Sequence, residues 1–213
     1  MFEEVLDNKY EIKSFTVGPI ETNCYAILNI DLKKVVLVDP GFKDYSILNW
    51  INNKKAKVEF ILLTHGHFDH ILGLSMFEDV PTYINSLDEE LLEDSEKNAG
   101  FFINAKEFKK PEKLKTFNDE ILIPFCGSQF KTMHTKGHTK GSSCYIFLNK
   151  VIFTGDTLFK NAVGRCDLHG GNSSDIKNSI KKIANIKENL KVLPGHGSQT
   201  TLESEKISNI YFK

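Results

Sequence analysis

Apolar and polar positions change places along this chain mostly in short runs, and most of those runs have the length of β-strands. KYEIKSFTV (9–17) and CYAILNI (24–30) read as strands separated by the turn-rich GPIETN. KKVVLVD (33–39) is a third, stopped by the turn signal Pro40-Gly41. YSILNWI (45–51) has helical spacing, whereas VEFILLT (58–64) is a short apolar run of the kind that forms a buried strand. LDEELLEDSEKN (87–98) is a charged stretch with helical character. ILIPF (121–125), QFKTMHT (129–135), SCYIFL (143–148) and KVIFTG (150–155) are strands again. NSSDIKNSIKKIANI (172–186) is amphipathic, with Ile176, Ile180 and Ile183 on one face and Ser173 or Ser174 as the expected N-cap. KVLPGHG (191–197) is a strand running into a glycine turn. Residues 93–118 are the least regular, polar with Phe101 and Phe102 together and a helix breaker at Pro111, and suggest a lid or a surface excursion. Many strands in each half with helices between them predict a layered α/β domain with helices outside packed sheets.

Composition narrows the function classes. The 213 residues suit one domain, spanning 1–213, with a sizeable core. Net charge is −1, from 27 basic and 28 acidic residues, which argues against a broad phosphate-binding surface and so against a nucleic-acid partner. The opening MFEEVLDNKYEIK is acidic and lacks the apolar segment of a signal peptide, and no run of 18 apolar residues is present to span a membrane. Cysteines at 24, 126, 144 and 166 form no CxxC pair, so reduced, mostly buried thiols and a cytoplasmic location are expected.

The chemistry is concentrated in LLTHGHFDHILG (62–73), where His65, His67, Asp69 and His70 fall within six positions. Imidazole and carboxylate together offer nitrogen and oxygen donors suited to zinc, iron or manganese. In an extended loop residues i and i+2 project to one side, so His65 and His67 can reach one metal, while Asp69 and His70, just after the turn, can reach a second. His138 in HTKGHTKGS, Asp156 in FTGDTLF and His196 in LPGHG share a placement: each lies just past a predicted strand, beside glycine. Strand ends are where a rigid sheet gathers residues distant in sequence around one centre. Asp39, before Pro40-Gly41, is either a turn residue or a group that orients a ligand histidine. His134 reads as structural and His169 as a loop residue.

The order THGHFDH, GHT, GDT, GHG resembles the metal motifs of the metallo-β-lactamase superfamily, across residues 64–197. GPIETNCYAI, VLVDPG, HTKGHTKGS and GDTLF give the chain its likeness to the short glyoxalase II-like (hydroxyacylglutathione hydrolase-like) branch. The resemblance implies an αββα sandwich with two metals at one edge of the sheets. It also implies roles: His65, His67 and His138 on the first metal, Asp69, His70 and His196 on the second, and Asp156 bridging. Zinc β-lactamases of the commonest type resemble this pattern but carry cysteine near position 156 and are exported, so drug hydrolysis is not expected. Full-length glyoxalase II enzymes continue into a helical C-terminal domain that helps bind glutathione, whereas about sixteen residues follow GHG here.

The expected activity is hydrolysis of a thioester, an S-acyl thiol such as S-lactoylglutathione, by a metal-bound hydroxide with Asp69 orienting it. Two divalent ions are expected, zinc first, with iron or manganese as other metals the donors accept. Arg165, in KNAVGRCDLHGG, stands where the longer enzymes carry a lysine and is the expected substrate contact, able to hold a carboxylate by a bidentate contact unless Asp167 pairs with it instead. A second reading is a persulfide dioxygenase with a single iron on His65, His138 and Asp156, a two-His-one-carboxylate set. Hydrolysis of another ester, a lactone or a phosphodiester is a third.

Overall fold

The computed structural model describes residues 2–105 and 108–213. Its first half builds one sheet of seven strands in sequence order: β1 (Glu3–Leu6), β2 (Tyr10–Val17), β3 (Thr22–Asn29), β4 (Lys34–Val38), β5 (Lys57–Leu62), β6 (Thr82–Asn85) and β7 (Leu114–Phe117). The first four are antiparallel neighbours; β4 to β7 run parallel, so their C-terminal ends share one edge. Between them lie α1 (Tyr45–Asn53), capped by the Asp44 side chain, and the single-turn α2 (Phe68–Ile71). The second sheet has the order β15 (Thr200–Thr201), β14 (Lys191–Pro194), β11 (Val151–Gly155), β10 (Ser143–Phe147), β9 (Ser128–His134), β8 (Leu122–Phe125). A two-stranded ribbon, β12 (Leu158–Phe159) with β13 (Ala162–Val163), follows β11; α3 (Ser173–Ala184) and α4 (Leu202–Ser208) complete the second half.

Side-chain alternation stacks these elements into four layers. Along β3, Tyr25 and Ile27 face the second sheet, where Phe130, Tyr145, Phe147 and Phe153 meet them. Cys24, Ala26 and Leu28 face the other way, onto α1 through Ile47, Trp50 and Ile51 and onto the segment carrying Ile71, Leu74 and Phe77. The second sheet repeats the device: Cys144, Ile146, Ile152 and Val192 face outward onto Ile180 and Ile183 of α3 and Leu202 of α4. A strand covered on both faces has no polar side, which is why VVLV and FILL read as continuous apolar runs. The expected αββα sandwich is therefore observed.

Several local expectations change. The N-cap of α3 is Asn172, not Ser173 or Ser174; its side chain accepts from the Ser174 and Asp175 amides. Residues 87–98 do not form an α-helix. A 3-10 helix covers Ser86–Leu92, and then the Asp94 side chain takes the amides of Glu96 and Lys97, diverting the backbone into a turn. The irregular segment 93–118 includes an edge strand, β7, and a short 3-10 helix, Gly100–Ile103, that leaves Phe101 and Phe102 exposed. Lys106 and Glu107 lie outside the described residues. Cys24 and Cys144 are buried free thiols, whereas Cys126 and Cys166 are only partly covered. Among the described residues no helix is long and apolar enough to cross a membrane.

Candidate metal centre

Strand β5 ends at Leu62, and the chain then turns through Thr64, His65 and His67 into α2, which carries Asp69 and His70. All four of these histidine and aspartate side chains are buried. His138 stands on the loop after β9, Asp156 immediately after β11, and His196 two residues beyond β14. Because β5, β11 and β14 end on the same side of the sandwich, seven residues spread from position 65 to position 196 come to one edge, the placement that the strand-end positions predict.

The outward-facing ring nitrogens fix the tautomers. The Thr64 hydroxyl donates to Asp39 Oδ2 (2.6 Å), so its oxygen is left to accept from His65 Nδ1 (3.1 Å). His70 Nδ1 donates to Asp39 Oδ2 (2.9 Å), His138 Nδ1 to the Arg165 carbonyl (2.8 Å) and His196 Nδ1 to the Ile20 carbonyl (3.1 Å). A neutral imidazole carrying its proton on Nδ1 presents a bare lone pair at Nε2. These four histidines therefore turn Nε2 inward, each a bare lone pair when its ring is neutral. Asp39 is thus the residue that orients a ligand histidine and not merely a turn former, although its φ of 50° also makes the turn before Pro40.

Inside, acceptors converge with too few hydrogens to share. His138 Nε2 lies 3.2 Å from His65 Nε2 and 2.8 Å from His67 Nδ1. Asp156 Oδ2 is 3.6 Å from His138 Nε2 and 3.7 Å from His196 Nε2, and its Oδ1 is 3.4 Å from His70 Nε2. Asp69 Oδ2 is 3.0 Å from His196 Nε2 and 3.2 Å from His70 Nε2. His67 Nε2, His70 Nε2 and Asp156 Oδ1 are buried without a hydrogen-bond partner. Buried polar atoms are nearly always paired, and the two orphans inside the cluster, His70 Nε2 and Asp156 Oδ1, fit a bound cation; His67 turns Nδ1 inward, so its Nε2 lies on the far side of the ring. The potential ligand atoms fall into three sets, each within 4.8 Å: His65, His67 and His138; His65, His70 and Asp156; Asp69, His70 and His196. Imidazole nitrogens mixed with carboxylate oxygens are donors for zinc, iron or manganese, and the residues fit such ions.

Charge gives the same answer. Asp39, Asp69 and Asp156 bring three carboxylates into this buried edge, too many for neutral imidazoles to balance. Burial, reinforced by its histidine neighbours, holds His65 well below its ordinary range, and burial beside His138 pushes His67 down to about 3. Burial would also lower His70, but Asp69, Asp39 and Asp156 together push it well above its usual range. Burial would raise Asp69 and Asp156, yet His70 beside both keeps them below the ordinary carboxylate range. The carboxylates are thus ionised and His65 and His67 neutral, whereas the carboxylates hold His70 and His196 towards their protonated forms despite burial, a positive charge that a bound cation would replace.

The remaining candidates divide. His134 bonds the Lys140 carbonyl through Nε2 (2.8 Å), and His169 faces Glu90 at the surface (3.3 Å); neither joins the centre. Arg165 donates from Nε and Nη2 to the two carboxylate oxygens of Asp167 (2.7 Å each), so the internal pairing is the one observed, and only its backbone carbonyl touches the centre, at His138. Two contributors were not legible in advance. Thr22 donates to Asp69 Oδ2 (3.0 Å) from the start of β3, inside what reads as a turn. Asp88 accepts from the loops that carry His65, His67 and His138.

Known proteins agree with this geometry. The family model of the Metallo-beta-lactamase superfamily matches residues 17–196. The chain is 34% identical over 201 residues to a probable metallo-hydrolase of Bacillus subtilis, covering 91% of this chain and 93% of that one. It is 32% identical over 206 residues to the hydroxyacylglutathione hydrolase GloC of Haemophilus influenzae, covering 93% and 96%. Among solved structures it is similar to the BLEG-1 B3 metallo-beta-lactamase (TM-score 0.86, 33% identity, covering 95% of this chain and 99% of that one). It is also similar to TTHA1623 in a di-iron-bound form (TM-score 0.78, 29% identity, 93% and 99%).

Proposed function

The chain belongs to the metallo-beta-lactamase superfamily, a superfamily of metallo-hydrolases, and from that footing we propose that it hydrolyses an S-acyl thiol in the manner of glyoxalase II. The observation that carries the reading is the ring of inward imidazole nitrogens and ionised carboxylates gathered at one buried point. His65, His67 and His138 would hold one divalent ion, Asp69, His70 and His196 the other, with Asp156 between. Zinc is the first choice for these donors; the di-iron-bound relative supports iron as the other. Bound there, such ions supply hydroxide at neutral pH and a Lewis acid for a carbonyl oxygen.

The protein's own residues supply orientation and exclusion. Asp69, held by Thr22 and kept ionised by its histidine neighbours, accepts a hydrogen bond from the attacking water and aims it. His196 and Asp156 are the least covered of the seven, so substrate approaches from their side. There the Phe159 ring lies 6.2 Å from the His196 ring, and Ile20, whose carbonyl binds His196, is exposed; together they offer an apolar wall for the acyl group. A thiol with a pKa near 8.5 leaves as thiolate without a dedicated acid, so none is required of the site.

The test is thiol release by zinc-loaded protein on a panel that includes S-lactoylglutathione, an oxygen ester, a lactone, a phosphodiester and a β-lactam. The β-lactam is the second reading, favoured by the 33% identical BLEG-1 enzyme despite Asp156 standing near where zinc β-lactamases of the commonest type carry cysteine. Thioester turnover exceeding that of every other substrate is expected. Ring opening of the β-lactam without thiol release would replace the proposal, as would oxygen uptake with a persulfide by an iron-loaded protein.

Arg165 is the proposed contact for an anionic carrier, in competition with Asp167. Arg165→Ala is expected to raise KM for an anionic thioester by at most about five-fold, the scale of an exposed ion pair, and to leave a neutral one unchanged. Equal effects on both substrates would remove Arg165 from the substrate site.

A further inference from the structure

We propose that Asp88 is a positioning residue for the His65–His67–His138 half of the centre, locking two ligand loops in register through one buried carboxylate. The proposal rests on the metal-centre reading above and adds to it a residue outside the ligand set. Asp88 is fully buried on the 3-10 helix Ser86–Leu92 that follows β6. Its Oδ2 accepts from the Gly66 amide (3.1 Å) and the Thr139 hydroxyl (2.6 Å), and its Oδ1 accepts from the Gly141 amide (2.6 Å). Gly66 sits between His65 and His67, and Thr139 directly follows His138. Two segments more than seventy residues apart in sequence thus meet on one side chain, and both carry ligands of the same metal set.

The arrangement has no slack. The Thr139 hydroxyl has one hydrogen, given to Asp88, and its oxygen is left to accept from Ser142 Oγ (2.7 Å). A Cβ on Gly141 would lie 2.7 Å from the Asp88 carboxyl carbon, so loop and carboxylate are in direct contact. Three donors face the two oxygens, and charge-assisted bonds of this kind are stronger than neutral ones. An asparagine at 88 would aim an N–H group at an N–H group. The other half of the centre has different supports: Asp39 behind His70, Thr22 behind Asp69 and the Ile20 carbonyl behind His196. Loss of Asp88 should therefore be felt on one side only.

The test is zinc affinity of the full chain, measured by competition with a chromophoric chelator for the native protein, Asp88→Asn, Thr139→Val and Thr139→Ser. The native protein should take two equivalents. In Asp88→Asn one equivalent should weaken by about 10–100-fold, the usual cost of removing a partner that orients metal ligands, while the other keeps its native affinity. Thr139→Val should weaken the same equivalent by less, and Thr139→Ser, which keeps the hydroxyl, should restore it; these two carry the test if Asp88→Asn does not fold. Equal weakening of both equivalents, or no change in folded variants, would overturn the assignment of Asp88 alone. A native protein that takes no zinc would overturn the metal-centre reading itself.

Discussion

His138→Ala is expected to remove metal and hydrolytic activity together, each by at least about 100-fold, because even an indirect support of a metal ligand is worth 10–100-fold. His138 is the most connected member of the cluster: its Nε2 faces His65, His67 and Asp156 at 3.2, 2.8 and 3.6 Å. Its removal should not harm the metal-free fold, since it relieves a crowd of acceptors that lack hydrogens. Chelator-treated native protein and His138→Ala should therefore melt at similar temperatures. Zinc at about a thousand times its dissociation constant should add ~4 kcal/mol to the native protein and little to the variant. A variant with full metal content and normal turnover would remove His138 from the ligand set.

Gly195→Ala should damage the centre directly through a single added methyl group. A Cβ there would stand 2.1 Å from Asp156 Oδ1, 2.8 Å from His70 Cε1 and 3.1 Å from the Gly155 carbonyl carbon. The backbone has no room to retreat, because the Gly195 amide donates to Gly155 O (2.8 Å) and its carbonyl accepts from the Asn23 amide (2.7 Å). His70 is held by Asp39, so Asp156 must swing out of the centre. Overpacking of this kind costs about 1–3 kcal/mol of stability, and on the proposed bridging role of Asp156 its displacement should lower metal affinity by a further ~10–100-fold. The check is thermal melting together with metal content; native values for both would show that Asp156 does not need its observed position.

The candidate ligands were legible because each sits in a short motif at a strand end, and strand ends are set by apolar runs that read clearly from sequence. Their division between two metals was not legible from spacing and is what the family resemblance implies; of the three clustered sets, the one of His65, His70 and Asp156 crosses that division. Asp39 was legible as one of two alternatives, and the Thr64 and His70 contacts decide between them. Asp88 was invisible because it lies among Glu89, Glu90, Glu93 and Asp94, and nothing in that run marks the one acid that turns inward. Thr22 was hidden for a different reason: the tight turn at Glu21 (φ 59°) lets β3 begin earlier than its apolar residues suggest. Edge elements were the weakest signal. β1 and β7 are half polar because one side of each faces solvent, and Ile207 of α4 is exposed, so none of the three shows a clean period.

The most direct test of the central claim is metal content per chain by elemental analysis of native protein purified without chelators. Two divalent ions per chain are predicted, falling to about one or none in His138→Ala. A native protein with no bound metal would contradict the account, and one iron per chain would move the chemistry to the three-residue set His65, His138 and Asp156.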